Sequence, residues 1–173
     1  DFFTPVYDYF LHLDPRVLVR TGISIDRGCR YHCDFCSRIS QWLRFVKMEQ
    51  TLGLIMRIKA ASRNIFIRKP LVKFHSDNIY SNPLYAKELF KEMIPLGIVW
   101  GGNASIDIGF DKEALQLARA SGCRQLLIGF ETIHPKDYAK TSLRQLRSAE
   151  DYKTAIGNIK AYAEQCPKAK PII

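Results

Sequence analysis

Three cysteines stand in a C-x3-C-x2-C run, Cys29, Cys33 and Cys36, within Asp26-Arg27-Gly28-Cys29-Arg30-Tyr31-His32-Cys33-Asp34-Phe35-Cys36-Ser37. Three thiolates on one short loop can hold three corners of a cubane iron–sulfur cluster. Four-iron sites commonly use four cysteines, so three leave one iron open to a ligand that is not protein. An open iron on a low-potential cluster is a place for chemistry as well as electron transfer. Zinc is the rival occupant, because it also takes thiolates and His32 lies inside the loop. Zinc ligands come more often as two cysteine pairs, and no second Cys-x2-Cys run is present.

The loop needs an element to carry it. Residues 18–26, including Val19-Arg20-Thr21-Gly22-Ile23-Ser24-Ile25-Asp26, read as a strand running straight into it. A helical pattern follows at 49–62, with Leu52, Ile55, Met56 and Lys59 at spacings of three and four. Residues 64–69 are ambiguous, and 71–75 read as the second strand. Asn82 is a plausible N-cap with Pro83 at the first helical position, for a helix reaching Ile94 with an inner stripe of Tyr85, Leu89 and Met93. A third strand is expected over 98–104. Asp111 caps a helix over 112–120, with Ala114, Leu117 and Ala118 inward and Gly122 closing it. Residues 124–130 are almost continuous hydrophobe, as a buried parallel strand would be. A long helix is expected over 148–166 through Tyr152, Ile156, Ile159 and Ala163, with a fifth strand starting near Lys170. Strand and helix alternate throughout, which predicts an α/β chain with a parallel sheet and right-handed crossovers. Ligands gather at the C-terminal ends of strands in such folds.

The chain has 173 residues, 47% hydrophobic and 25% charged, enough for one domain with its own core. Of its five cysteines, three are clustered, which favours a metal centre in a reducing, cytoplasmic setting over disulfides. No secretory signal and no bilayer-length apolar run are visible. The net charge of +9 suits an anionic partner or simply a basic surface. Without a dense basic tract interleaved with aromatics, it argues against nucleic acid. The chain opens on Asp1 and closes on Pro171-Ile172-Ile173, so it reads as a piece of a longer protein, with residues 1–17 as a leading linker and 18–173 as the core domain.

The cysteine triplet resembles that of the radical S-adenosylmethionine superfamily. Three further runs are similar to its cobalamin-dependent subgroup: Ser76-Asp77-Asn78-Ile79-Tyr80-Ser81-Asn82-Pro83, Gly101-Gly102-Asn103-Ala104-Ser105-Ile106 and Gly122-Cys123-Arg124-Gln125-Leu126-Leu127-Ile128-Gly129-Phe130-Glu131. The resemblance implies a partial (β/α)6 TIM-like barrel of the radical S-adenosylmethionine type, with about the first four to five βα units present. It implies a 4Fe-4S cluster on Cys29, Cys33 and Cys36, and S-adenosyl-L-methionine on the open iron. Phe35 would lie near the adenine, Asp77 and Asn78 would accept from the methionine ammonium, Glu131 would bond the ribose hydroxyls, and Ser105 would line the same cavity. Arg30 stands where the family commonly has proline. The family's activity is reductive cleavage of the cofactor to a 5′-deoxyadenosyl radical that takes hydrogen from a small-molecule substrate. In the subgroup the product is often a methylated carbon. Cobalamin would come from an N-terminal domain before Asp1, and electrons from a reductase such as flavodoxin or ferredoxin. Other readings remain open: a tRNA methylthiotransferase-type radical enzyme, a non-catalytic zinc-binding module, or a fragment with an exposed sheet edge that folds poorly alone. Each residue also has a plain reading. Asp77 and Asn78 are good turn formers, and Glu131 would serve as a loop acid. Ser105, His32, His75 and His134 fit surface or packing roles. Cys123 and Cys166 fit as inert small hydrophobes, and Gly101-Gly102 as a bulge or a point of close ligand approach.

Overall fold

The computed structural model describes residues 22–36, 42–63, 70–132, 134, 136–137 and 148–164. The linker over 1–17, the start of the first strand, the segment 64–69, Cys166 and the strand expected near Lys170 lie outside the described residues.

Among the described residues there are five strands and four α-helices. Strand β1 (Asp26–Arg27) pairs antiparallel with β2 (Arg44–Phe45). Helix α1 (Met48–Arg63) leads to β3 (Leu71–Lys73), α2 (Pro83–Met93), β4 (Val99–Ala104), α3 (Lys112–Ala120), β5 (Cys123–Ile128) and α4 (Ala149–Glu164). Strands β3, β4 and β5 form a parallel sheet in that order. The chain before β1 runs beside β3, with Ile23 bridging Phe74 in parallel; Ile23 N–H donates to the Lys73 carbonyl and His75 N–H to the Ile23 carbonyl. Within the described part of the expected first strand there is a parallel bridge at Ile23, then a two-residue antiparallel ribbon.

Local chemistry sets the helix ends. Asn82 Oδ1 accepts from the backbone of Leu84 and Tyr85 at 3.1 and 3.2 Å, with Pro83 following as the first helical residue. Asp111 Oδ1 accepts from Ala114 N–H at 2.9 Å. Ser148 Oγ accepts from Asp151 N–H while Asp151 Oδ2 accepts from Ser148 N–H, a reciprocal cap on α4.

The core centres on β4. Trp100 is fully buried, stacked on Phe90 at 5.0 Å and edge-on to Phe74 at 5.6 Å, and its Nε1 donates to Ser121 Oγ at 3.0 Å. Helix α2 buries Ala86, Leu89, Phe90 and Met93. Helix α1 turns Leu54, Ile55 and Ile58 inward, while Met56, expected inward, is 55% exposed; the buried stripe is 51-54-55-58-62, offset from the expected one. Helix α4 buries Tyr152 and Ala155, with Ile156 and Ile159 half-buried and Ala163 exposed. It crosses the 3₁₀ turn Ile106–Phe110 so closely that a Cβ on Gly109 would lie 2.9 Å from Ala155 Cβ, and Asn158 Nδ2 donates to the Gly109 carbonyl. Strand β5 corrects an expectation. It is not buried: Leu127 is 66% exposed and Leu126 and Ile128 are half-buried, because β5 is the outer strand of the described sheet.

Candidate cofactor-binding site

The cysteine loop leaves β1 through Gly28, whose φ of +86° suits a residue without a Cβ. Cys29, Cys33 and Cys36 are all free thiols, Cys33 buried and the other two half-buried. A turn closes the loop, with Cys36 N–H donating to the Cys33 carbonyl at 3.0 Å. Phe35 projects outward, 62% exposed, and His32 and Asp34 are exposed. Among the described residues, no three His, Cys, Asp or Glu side chains converge on a single-ion position. The thiolates of a cubane each meet a different iron, so they need not converge on one point as zinc ligands do. Three thiols on one loop at the end of a strand are a donor set that fits the cluster.

A hydrogen-bond network holds this loop to the strand ends. Arg30 Nη2 donates to Asp107 Oδ2 and, at 2.7 Å, to Tyr31 Oη. Tyr31 Oη donates to Asp107 Oδ2 at 2.7 Å, and Ser105 Oγ donates to Asp107 Oδ1. Asn78 Nδ2 donates to Ser105 Oγ at 2.7 Å, while Asn78 Oδ1 accepts from Tyr80 N–H and Ser105 N–H at 3.0 and 3.1 Å. A second link runs from Ser76 Oγ to Asp26 Oδ2. Asp26, Ser76, Asn78, Ser105 and Asp107 are all buried. Thus the loop, the end of β3 and the end of β4 are joined through polar side chains in an otherwise apolar interior.

The electrostatics follow from this packing. Burial, reinforced by the adjacent Asp107 carboxylate, pushes the Tyr31 phenol up to about 12. Partial burial alone would lower the Arg30 guanidinium, but its bond to Tyr31 and the charge of Asp107 leave it raised. Partial burial would raise the Asp111 carboxyl, yet bonds from Lys87 at 2.8 Å, Tyr80 at 2.5 Å and the Ala114 N–H hold it below its usual range. Burial pushes the Cys123 thiol up to about 12, which leaves it protonated and unreactive near neutral pH.

An open cleft of about 540 Å³ lies beside the loop, lined by Arg30, Tyr80, Asp107, Phe110, Asp111 and Lys112 among others. Of the residues expected at the site, Asn78 and Ser105 are brought together and bonded. Phe35, Asp77 and Glu131 are exposed on their loops, and Glu131 folds back over Gly129, where a Cβ would meet its Oε1. Glu131 follows a half-exposed edge strand, not a buried one. His32, His75 and His134 are exposed, as expected of surface residues. Sequence reasoning missed Tyr31 and Asp107 and took Arg30 only as standing where the family commonly has proline. The signal was a lone acid between Ile106 and Ile108, just past a strand.

No protein-family model matches the chain. It is 27% identical over 133 residues to bacteriochlorophyllide d C-12(1)-methyltransferase of Chlorobaculum tepidum, covering 77% of this chain and 29% of that protein. It is also 27% identical over 112 residues to cytidylyl-2-hydroxyethylphosphonate methyltransferase of Streptomyces wedmorensis, covering 61% of this chain and 20% of that one. Its fold matches TsrM from Kitasatospora setae, a radical S-adenosylmethionine methyltransferase solved with cobalamin and a 4Fe-4S cluster, with a TM-score of 0.67 and 16% identity over 87% of this chain and 31% of that one. The chain is thus similar in sequence to two methyltransferases and in fold to a radical S-adenosylmethionine methyltransferase. It spans less than a third of the length of each of these proteins. The mixed α/β architecture with a parallel sheet is what the described residues share with the fold of TsrM. No described helix is long and apolar enough to cross a membrane.

Proposed function

We propose that this chain is the core of a radical S-adenosylmethionine methyltransferase, comprising the first four to five βα units of a partial (β/α)6 barrel. One observation carries the reading: the three-cysteine loop stands at the ends of parallel strands, bonded to them by buried polar groups, in a chain whose fold matches a solved enzyme of that class. Cys29, Cys33 and Cys36 hold a 4Fe-4S cluster with one iron left open. When bound, the cluster and S-adenosyl-L-methionine supply the electron and the one-carbon or radical chemistry.

The chain's own residues bind and orient. Asp77 accepts from the methionine ammonium, and Glu131 accepts from the ribose hydroxyls. The Phe35 ring is free to lie against the adenine. Asn78 and Ser105, bonded to each other, to the backbone and through Ser105 to Asp107, hold the strand ends beside the loop. The cleft beside Arg30 and Phe110 is the approach for a small-molecule substrate. Cobalamin would be held by a domain outside this chain, electrons would come from a flavodoxin- or ferredoxin-like reductase, and the setting is a reducing one such as the cytoplasm.

The test is anaerobic reconstitution with iron and sulfide, followed by metal analysis of the wild type and of Cys29→Ala, Cys33→Ala and Cys36→Ala. About four irons per chain in the wild type, with none of the single variants keeping a stable cluster, supports the reading. A colourless protein holding one zinc overturns it.

A further inference from the structure

Asp107 is a buried carboxylate whose side chain is 2% exposed, and burying a charge is costly unless it is paired and hydrogen-bonded. Its partners are unusual in where they come from. Two of its three donors, Arg30 and Tyr31, lie between Cys29 and Cys33, and the third, Ser105, directly follows β4. The Arg30 guanidinium also lies over the Tyr31 ring, 4.9 Å from its centroid, so the two loop side chains brace each other. Ser105 is in turn held by Asn78 from the segment after β3. One carboxylate therefore sets the height of the cysteine loop above two strand ends. Cys33, two residues beyond Tyr31, is the buried thiol of the three.

We propose that Asp107 is a positioning residue that clamps the cysteine loop onto the ends of β3 and β4 through Arg30 and Tyr31, presetting the spacing of Cys29, Cys33 and Cys36. It acts through Arg30, Tyr31 and Ser105, the side chains that bond its carboxylate. Its importance for catalysis rests on reading the triplet as a cluster loop, but the clamp is a property of the metal-free chain and can be read there. Removing the carboxylate leaves Arg30 and Tyr31 without their shared acceptor, and the loop lifts. Removing Arg30 leaves Asp107 with two donors and an uncompensated charge, and has the same effect.

The measurement is iodoacetamide labelling of the reduced, metal-free 173-residue chain, with each cysteine followed by peptide mass spectrometry and Cys123, unreactive in the folded chain, reporting global opening. Asp107→Asn should raise labelling of Cys33 about tenfold over wild type while Cys123 stays as poorly labelled as before. Arg30→Gln should act in the same direction, and the double variant should add little to either. Tyr31→Phe, which keeps the carboxylate and the ring, provides a milder variant should Asp107→Asn fold poorly; a severalfold rise confined to the loop cysteines is expected. Reconstituted iron should fall in step. Unchanged Cys33 labelling in all these variants, or a rise shared equally by Cys123, overturns the clamp. If the wild type takes up a cluster while the variants leave labelling unchanged, the clamp fails and the cluster reading stands. If the wild type takes up no cluster but Asp107→Asn still exposes Cys33, the clamp stands and the cluster reading fails.

Discussion

Replacing Asn78 with alanine tests how firmly the wall of the site is built. Asn78 is 3% exposed, and its side-chain oxygen accepts from the backbone N–H groups of Tyr80 and Ser105. Alanine leaves both donors buried, and each orphaned group costs about 1–3 kcal/mol. Ser105 Oγ loses the Asn78 amide but keeps Asp107, so that loss adds little. The sum is about 2–6 kcal/mol, a large share of the roughly 5–15 kcal/mol that holds a domain of this size together. Urea unfolding followed by tryptophan fluorescence gives a direct reading, since Trp100 lies in the core. With a slope of about 2 kcal/mol/M, the midpoint should fall by about 1–3 M. Asn78→Asp keeps the side-chain oxygen that accepts from both backbone N–H groups and should lose less. Its deficit should deepen as pH rises through the carboxylate range, because the new charge sits one serine away from Asp107. A midpoint shift below about 0.3 M for Asn78→Ala would refute the argument that these bonds hold the site together.

Two further outcomes follow from the packing. Trp100→Ala empties the site where the indole stacks on Phe90 and meets Phe74, and should cost about 3–5 kcal/mol in urea unfolding followed by far-UV circular dichroism, since the variant lacks the core tryptophan. Burial pushes the Tyr85 phenol up to about 12 and burial with the Asp111 bond raises Tyr80 as well. A folded value raised above the ordinary 10.0 means that this stability is complete below pH 10 and is lost as pH climbs from there toward the folded value. Stability should therefore drop between pH 10 and 12 in pH-dependent urea melts, and Tyr85→Phe should flatten part of that drop.

What could be read from the sequence was local. Asn82 and Asp111 cap the helices they were expected to cap, because a cap depends on residues two and three places away. The alternation of strand and helix gave the parallel α/β class for the same reason. Depth was harder. The hydrophobic run at 124–130 looked buried, but hydrophobicity does not say whether a strand lies at the centre or edge of a sheet, and β5 lies outside β4. The inner face of α1 was placed one position off, because Leu52, Leu54, Ile55, Met56 and Ile58 leave its apolar stripe poorly defined. The clamp could not be read at all. Arg30 and Asp107 are 77 residues apart, and only the fold reveals that the charge beside the first cysteine has a buried partner.

The central claim is a cluster with an open iron that receives S-adenosyl-L-methionine. The most direct test is electron paramagnetic resonance of the anaerobically reconstituted, reduced protein, recorded with and without that cofactor. The account predicts a reduced four-iron signal whose g-values shift on addition of the cofactor, and no such signal in Cys33→Ala. A four-iron signal that the cofactor leaves unchanged, or no paramagnetic cluster at all, would contradict it.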